Sequence, residues 1–157
     1  MSIFYADKKF DRFEDVTPEF LKKEGVKLLL CDLDNTLTSR LSKAPAKELG
    51  DWIRACQKAG TEIVVISNNV SKKRVQSFCR PYKIHCVWWA KKPLSVHLTK
   101  VREGLGISQK ETAMLGDKWS TDVLAAKFAG IRSWKVEHRK GFLKDEQKEV
   151  TKNGSKK

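Results

Sequence analysis

The chain has 157 residues, of which 40% are hydrophobic and 32% are charged. This length predicts one domain around a single core, and the composition excludes both a disordered chain and a bundle of membrane helices. Apolar runs such as residues 28–31 and 63–66 are far shorter than the roughly 20 residues of a membrane-spanning helix. The N-terminal sequence MSIFYADKKF is charged before any apolar stretch of secretory length, so we expect no signal peptide and a cytoplasmic protein.

The formal net charge of +13 is unevenly distributed. Residues 71–110 contain ten basic residues and one acidic residue, a net charge of +9. Such a charge favours an anionic partner: nucleic acid, an acidic membrane surface or a phosphorylated substrate. A solvated, lysine-rich surface is the alternative explanation.

The cysteines and histidines carry no pattern typical of a metal site or a disulfide scaffold. No two cysteines have CxxC spacing, and the histidines form no cluster with them at ligand spacing. We expect free thiols in a reducing compartment and structural or solvent-facing histidines. The residues concerned are Cys31, Cys56, Cys79, Cys86, His85, His97 and His138.

Strand-like and helix-like segments alternate along the chain. Buried strands are predicted at residues 26–31, 61–66, 84–89, 111–115 and 131–136. Helices are predicted at residues 44–59, 71–80, 93–104 and 121–129, with Pro45 in the first turn of the first and Ser71 and Thr121 as caps. This alternation predicts an α/β fold of three layers, Rossmann-like, with a five-stranded parallel sheet and helices on both faces.

One domain is predicted over residues 1–140. Residues 1–25 form its N-terminal segment, with a short helix that opens at Thr17-Pro18 and ends at Gly25. Residues 141–157 are mostly charged and are expected to form a flexible tail.

Polar residues follow four of the five predicted strands, where ligands bind in open α/β sheets. They are Asp32, Asp34 and Thr36; Ser67, Asn68 and Asn69; Lys91 and Lys92; and Asp117 and Asp122. Clustered carboxylates favour a hard divalent cation such as Mg²⁺, and a lysine and a hydroxyl beside them suit a phosphate group. A carboxylate nucleophile, an acid/base carboxylate, a metal and a phosphate clamp together predict phosphoryl transfer through an aspartyl-phosphate.

The motifs DLDNTL, SNN, the KP dipeptide and GDKWSTD, in this order, resemble those of the haloacid-dehalogenase-like (HAD) phosphatases. The resemblance covers about residues 26–136. The longer runs TPEFLKKEGVKLLLCDLDNTL and GDKWSTDVLAAKFAG are similar to the YqeG-type branch, which is associated with phosphatidylglycerophosphate phosphatases. Where this branch more often has glutamine and an aliphatic residue after GD, this chain has Lys118 and Trp119.

The resemblance implies a role for each matching residue. Asp32 would be the nucleophile, Asp34 the general acid and base, and Lys92 the cation that neutralises both nucleophile and phosphate. Mg²⁺ would be bound by Asp32, Asp117 and the backbone carbonyl of Asp34. Phosphate would be bound by Ser67, the backbone N–H of Asn68, Lys92 and Thr36, which also steadies its loop, with Asp122 as a partner of the lysine or of metal-bound water.

Several of these positions have a plainer explanation. Asp32, Asp34 and Ser67 also suit turns after strands, and Asp122 could cap the helix that follows it. Lys91 and Lys92 compete for the role of active-site lysine. Trp88 and Trp89 are predicted as strand residues with one buried face, with membrane contact as the alternative.

The spacing leaves no room for a cap domain, so we expect an open site that suits a substrate with its own surface. The first hypothesis is a Mg²⁺-dependent phosphatase that dephosphorylates phosphatidylglycerophosphate to phosphatidylglycerol. It would bind the inner face of the membrane peripherally, through basic residues such as Lys72, Lys73 and Arg74, with Phe4, Tyr5, Phe10 or Trp119 as anchors. The alternatives are a phosphatase acting on a nucleic-acid 3′-phosphate or a soluble phosphomonoester, and a phosphate-binding module without turnover. No covalently bound cofactor is expected.

Overall fold

A parallel β-sheet forms the centre of the protein in the computed structural model, which describes residues 4–137. The strands are β1 (Lys8–Phe10), β2 (Leu28–Cys31), β3 (Glu62–Ile66), β4 (Cys86–Val87), β5 (Thr112–Gly116) and β6 (Arg132–Val136). The helices are α1 (Pro18–Glu24), α2 (Lys47–Lys58), α3 (Lys72–Cys79), α4 (Val96–Gly104) and α5 (Leu124–Ala129). The strand order is β1–β6–β5–β2–β3–β4, and every neighbouring pair is parallel.

Two hydrophobic clusters cover the two faces of the sheet. Successive strand residues point to opposite faces, so that Leu29 and Cys31 lie in one cluster and Leu28 and Leu30 in the other. The first cluster includes residues of α1, α2 and α3, and the second includes residues of α4 and α5. The three-layer α/β class is therefore confirmed.

Within residues 4–137 the sheet has six strands, and the predicted number of five is wrong. The additional strand, β1, pairs with β6 so that Lys8 lies opposite Trp134. Its sequence KKF is short and polar and carries no alternating pattern, because β1 lies at the edge of the sheet and its lysines are exposed. Asp7 fixes the register, since its carboxylate accepts the Ser133 backbone N–H at 2.9 Å.

Several element boundaries also differ from the prediction. Helix α2 begins at Lys47 and α4 at Val96, so Pro45 and Leu94 precede their helices. Strand β4 ends at Val87, and Trp88 and Trp89 are not strand residues. Thr121 does not cap α5, because a π-helical turn at Trp119–Val123 leads directly into that helix.

The predicted caps of α1 and α3 are present. Thr17 Oγ1 accepts the Phe20 N–H at 3.1 Å, and α1 ends at Gly25 with φ 67°. Ser71 Oγ accepts the Arg74 N–H at 3.2 Å at the start of α3. The four cysteines are free thiols.

No helix within residues 4–137 has the length and apolar character needed to cross a membrane. The tail predicted at residues 141–157 lies outside the described residues.

Candidate active site

A cleft of about 340 Å³ opens at the carboxyl edge of the sheet, where the polar segments after β2, β3, β4 and β5 meet. Most of the predicted site residues line it. The lining residues are Asp32, Asp34, Asn35, Arg40, Ser67, Asn68, Asn69, Val70, Lys92, Asp117, Lys118 and Thr121.

Lys92 lies at the centre of a buried ion-pair cluster. Its Nζ contacts Asp32 Oδ1 at 2.9 Å and Asp122 Oδ1 at 2.6 Å, and the residue is 5% exposed. A buried charge is tolerated only when it is paired and hydrogen-bonded, so the two carboxylates and the ammonium depend on one another. Lys92 thereby joins the end of β2 and the turn after β5 to the segment after β4.

The geometry distinguishes Lys92 from Lys91. Lys91 is exposed, and its Nζ lies over the Trp89 ring, 4.5 Å from the centroid. The side chain of Asn68 fixes the Lys92 backbone, because it accepts the Lys92 N–H at 2.8 Å and donates to the Lys92 carbonyl at 3.0 Å. Asn68 therefore positions the lysine, a contact that the prediction, limited to its backbone N–H, did not include.

Burial and neighbouring charge act in opposite directions on this cluster. Burial, together with repulsion from Asp122, raises the pKa of Asp32 to about 7 although Lys92 counteracts both effects. Burial alone would lower the pKa of Lys92, but the attraction of Asp122 and Asp32 outweighs it and raises that pKa above its ordinary value. Lys92 is thus a fixed cation beside Asp32.

Three carboxylates provide a donor set suited to a hard cation. One oxygen each from Asp32, Asp117 and Asp122 lies within 4.8 Å of the other two. Thr36 Oγ1 donates to Asp117 Oδ1 at 3.4 Å. Oxygen ligands of this kind fit Mg²⁺.

Thr36 is not among the residues that line the cleft, and it is fully buried. Its hydrogen bond to Asp117 joins the loop after β2 to the end of β5. This position suits the predicted loop-steadying role better than the predicted direct phosphate contact.

Asp122 is held against the sheet by the π-helical turn. Its Oδ1 contacts Lys92, and its Oδ2 accepts the backbone N–H of Lys118 at 3.2 Å. The side chain packs against Gly116, where any Cβ would overlap with it. Asp122 is therefore a partner of the lysine and does not cap α5.

Two side chains for which the sequence predicted no role in the site bind Asp34. Arg74 donates to Asp34 Oδ1 through Nε at 3.1 Å and Nη2 at 2.7 Å, and Asn69 Nδ2 donates to Oδ2 at 2.9 Å. Arg74 also donates to the carbonyls of Ser39 and Ser42. The helical spacing carries no signal for this contact, because it depends on how the Arg74 side chain is oriented.

Ser67 is 1% exposed and follows β3 directly. Its Oγ accepts the Asn69 N–H at 3.1 Å, and its hydroxyl proton has no acceptor within residues 4–137. The hydroxyl of this buried serine is therefore free to donate a hydrogen bond to an anion in the cleft.

The proposed membrane anchors are scattered over the molecule. Phe4 and Tyr5 are exposed but precede β1, which places them toward the amino edge of the sheet, opposite the cleft. Phe10 packs edge-on against Phe20 and Trp134. Trp119 is half-buried at the carboxyl edge.

Comparisons with known proteins support the same fold and chemistry. A family model described as HAD-hydrolase-like matches residues 89–152. The chain is 28% identical over 130 residues to the probable phosphatase YqeG of Bacillus subtilis (strain 168), which covers 83% of this chain and 75% of YqeG.

Solved structures show the same fold at low identity. A hypothetical protein from Xanthomonas campestris has a TM-score of 0.62 at 18% identity, over 83% of this chain and 76% of its own. The 3-deoxy-D-manno-octulosonate 8-phosphate phosphatase from Moraxella catarrhalis, solved with magnesium and phosphate ions, has a TM-score of 0.53 at 22% identity. That match covers 63% of this chain and 62% of the phosphatase.

Proposed function

We propose that this chain, which is similar to haloacid-dehalogenase-like hydrolases, is a Mg²⁺-dependent phosphatase whose substrate is phosphatidylglycerophosphate. The observation that carries the phosphatase chemistry is the buried Asp32–Lys92–Asp122 cluster at the wall of an open cleft. A nucleophile needs a charge partner that holds it in place, and Lys92 supplies that charge without blocking the second carboxylate oxygen of Asp32.

Each residue has a defined role in the proposed reaction. Asp32 Oδ2 attacks the phosphorus atom, and the bond to the ester oxygen breaks while Asp34 gives that oxygen a proton. Asp34 then takes a proton from water, whose oxygen attacks the aspartyl-phosphate and releases inorganic phosphate and Asp32. Ser67, Lys92 and the Asn68 backbone N–H bind the phosphate oxygens.

Asp32, Asp117 and the Asp34 backbone carbonyl would hold Mg²⁺. Bound there, the cation supplies positive charge that neutralises the carboxylates and the phosphate. Asp122 is engaged with Lys92 and Lys118, so we assign it to orientation of the lysine.

The lipid substrate is supported by the open cleft and by the resemblance of the sequence motifs to the YqeG-type branch. Within residues 4–137, the β2–β3 connection is a loop with α2, and the β3–β4 connection is α3 with a single 3₁₀ turn. An ester presented by a membrane needs no enclosing domain, because the bilayer itself covers the site. Exposed Arg40 and Lys118 beside the cleft favour a substrate with additional negative charge.

The test is phosphate release from phosphatidylglycerophosphate in mixed micelles with Mg²⁺. We expect the lipid to be strongly preferred over a water-soluble phosphomonoester, and Asp32→Asn to abolish release from both. Asp11→Asn, which removes an exposed carboxylate outside the cleft, is the matched control and should keep full activity. Release from the soluble ester alone would keep the mechanism and contradict the lipid substrate.

A further inference from the structure

Four large apolar side chains are exposed at the carboxyl edge of the sheet, beside the cleft. Leu41 is 69% exposed, Val70 74%, Trp89 58% and Leu94 59%. They lie on the segments that follow β2, β3 and β4, and we refer to these four residues as the docking rim. Exposed apolar groups concentrated beside a functional cleft indicate a contact surface more strongly than the same groups scattered singly.

Backbone contacts join the docking rim to the cleft. Val70 and Arg40, the neighbour of Leu41, both line the cleft. The Trp89 N–H donates to the carbonyl of Asn69 at 2.8 Å, which places the indole-bearing segment next to Val70. The Leu94 N–H donates to the Lys91 carbonyl at 3.0 Å, so the segment that bears Trp89 and Leu94 turns back on itself.

Trp89 is held in an unusual conformation. Its φ is 48° and that of Lys91 is 58°, in the left-handed region that bulky residues rarely adopt. Such a conformation is strained and persists only when the surrounding structure imposes it. Lys91 Nζ lies 4.5 Å from the centroid of the Trp89 ring, so the indole and a cation are presented to solvent together.

Basic residues surround the docking rim. The loops at this edge comprise residues 32–46, 67–71, 88–95 and 117–121, and their only acidic residues are Asp32, Asp34 and Asp117 of the cleft. The exposed basic residues of the same loops are Arg40, Lys43, Lys91 and Lys118. This surface therefore combines exposed apolar groups with unbalanced positive charge.

We infer that the docking rim is the surface by which this protein binds an anionic lipid bilayer, with Trp89 and Leu94 inserted at the interface and the surrounding basic residues on lipid phosphates. An indole with its polar N–H suits the membrane–water interface, and aliphatic side chains beside it bury in the acyl region. Each basic residue near an anionic surface adds electrostatic attraction that salt screens. The inference rests on the proposed lipid substrate, because docking here would face the cleft toward the headgroups.

The composition of the docking rim favours a bilayer over nucleic acid. Single-stranded nucleic acid is bound by aromatic side chains on which successive bases stack. Three of the four rim residues are aliphatic and offer no face for a base, whereas all four are suited to a lipid interface.

The experiment is flotation of the full-length protein with vesicles of phosphatidylcholine alone and of phosphatidylcholine mixed with phosphatidylglycerol. We expect binding to the anionic vesicles, weakened at about 1 M salt, where the Debye length falls to about 3 Å. In the double variant Trp89→Asn/Leu94→Gln, apparent vesicle affinity should fall at least about tenfold. Asparagine is chosen at position 89 because it tolerates positive φ.

The matched control is Tyr5→Asn/Phe128→Gln, which removes two equally exposed aromatic rings, 67% and 63% exposed, away from the carboxyl edge. It should bind vesicles like the wild type. Equal loss in both double variants, or no binding of the wild type to anionic vesicles, overturns the inference. Binding of a single-stranded oligonucleotide that the rim variant abolishes, in place of vesicle binding, also overturns it.

Two measurements distinguish a wrong docking surface from a wrong proposed function. The rim variant should hydrolyse a water-soluble phosphomonoester at the wild-type rate, because neither residue lines the cleft. Asp32→Asn should float with anionic vesicles like the wild type while hydrolysing nothing. Loss of soluble-ester hydrolysis in the folded rim variant would mean that these residues serve the cleft and not the bilayer.

Discussion

At the scale of single residues, Arg74 couples the acid/base carboxylate to the loop beside the cleft. Its guanidinium bonds Asp34 Oδ1 through two nitrogens and reaches the carbonyls of Ser39 and Ser42 on the loop after β2. Only a planar group with several fixed donors makes all of these contacts at once. Arg74 is therefore a positioning residue for Asp34.

Replacing Arg74 by lysine keeps the positive charge and removes the planar guanidinium with its several donors. We expect kcat for a soluble phosphomonoester to fall by roughly ten- to a hundredfold, because a displaced catalytic group is costly, while KM changes little. Arg74→Ala should be at least as impaired. Steady-state kinetics measures the effect, with Lys73→Ala as the control because Lys73 is the exposed neighbour on the same helix. An unchanged kcat in Arg74→Lys would show that Asp34 does not need the two-nitrogen contact of the guanidinium.

At the scale of elements, the π-helical turn and β5 together set the position of Asp122. Gly116 ends β5, and its missing side chain leaves the space that the Asp122 side chain occupies. The turn at Trp119–Val123 brings that side chain inward to Lys92. The requirement for glycine is steric here, since the φ of Gly116 is not positive.

Gly116→Ala should therefore disturb the buried cluster. The added methyl group displaces Asp122 from Lys92, and we expect the free energy of unfolding to fall by about 1–3 kcal/mol together with a loss of phosphatase activity. Urea denaturation and phosphate release measure the two effects. Gly104→Ala is the control, because a Cβ there meets no other atom within 4 Å. If both variants behave alike, Asp122 does not depend on the space at Gly116.

The sequence was informative for elements that are buried and regular. Residues of β2, β3 and β5 are apolar because helices cover both faces of the sheet. Their continuous apolar sequences therefore predicted buried strands, and the polar residues after each strand marked where the strand ends. Strand β1 escaped prediction because its pairing with β6 depends on a partner more than 120 residues away. Such long-range pairing leaves no local pattern.

Some residues of the candidate site could be predicted from the sequence, and others could not. Asp32, Asp34, Ser67, Lys92 and Asp117 follow strands directly, and strand prediction was enough to bring them to one edge. Arg74 and Asn69 reach Asp34 by side-chain orientation, which spacing does not specify. Trp89 was predicted to lie in a strand because the residues around it are apolar. Its φ is positive, which is incompatible with an extended strand, and β4 ends before it.

At the scale of the whole molecule, the carboxyl edge of the sheet costs stability in the absence of a cation. Asp32, Asp117 and Asp122 lie within one small volume, and Lys92 balances only part of their charge. A bound divalent cation adds its binding free energy to that of folding. Function and stability are therefore linked through the same carboxylates.

The pKa of Asp32 gives this link a measurable sign. In the folded chain without a cation it is about 7, against 3.8 for the ordinary carboxyl group. The folded state thus binds more protons between these two values, so the contribution of Asp32 to the free energy of unfolding declines as pH rises from about 4 to 7. Mg²⁺ should offset this decline, by about 2.7 kcal/mol at a hundredfold excess over its Kd.

Urea denaturation at several pH values, with chelator and with Mg²⁺, measures both effects. The matched comparison is Asp32→Asn in chelator, whose pH slope should be flatter than that of the wild type because the titrating group is gone. The slope is the informative quantity, since Asp32→Asn also removes the ion pair with Lys92 and so changes the absolute stability. If the free energy of unfolding has the same pH slope in both proteins, the pKa of Asp32 is not raised. If Mg²⁺ stabilises Asp117→Asn as much as it stabilises the wild type, the cation binds elsewhere than at these carboxylates.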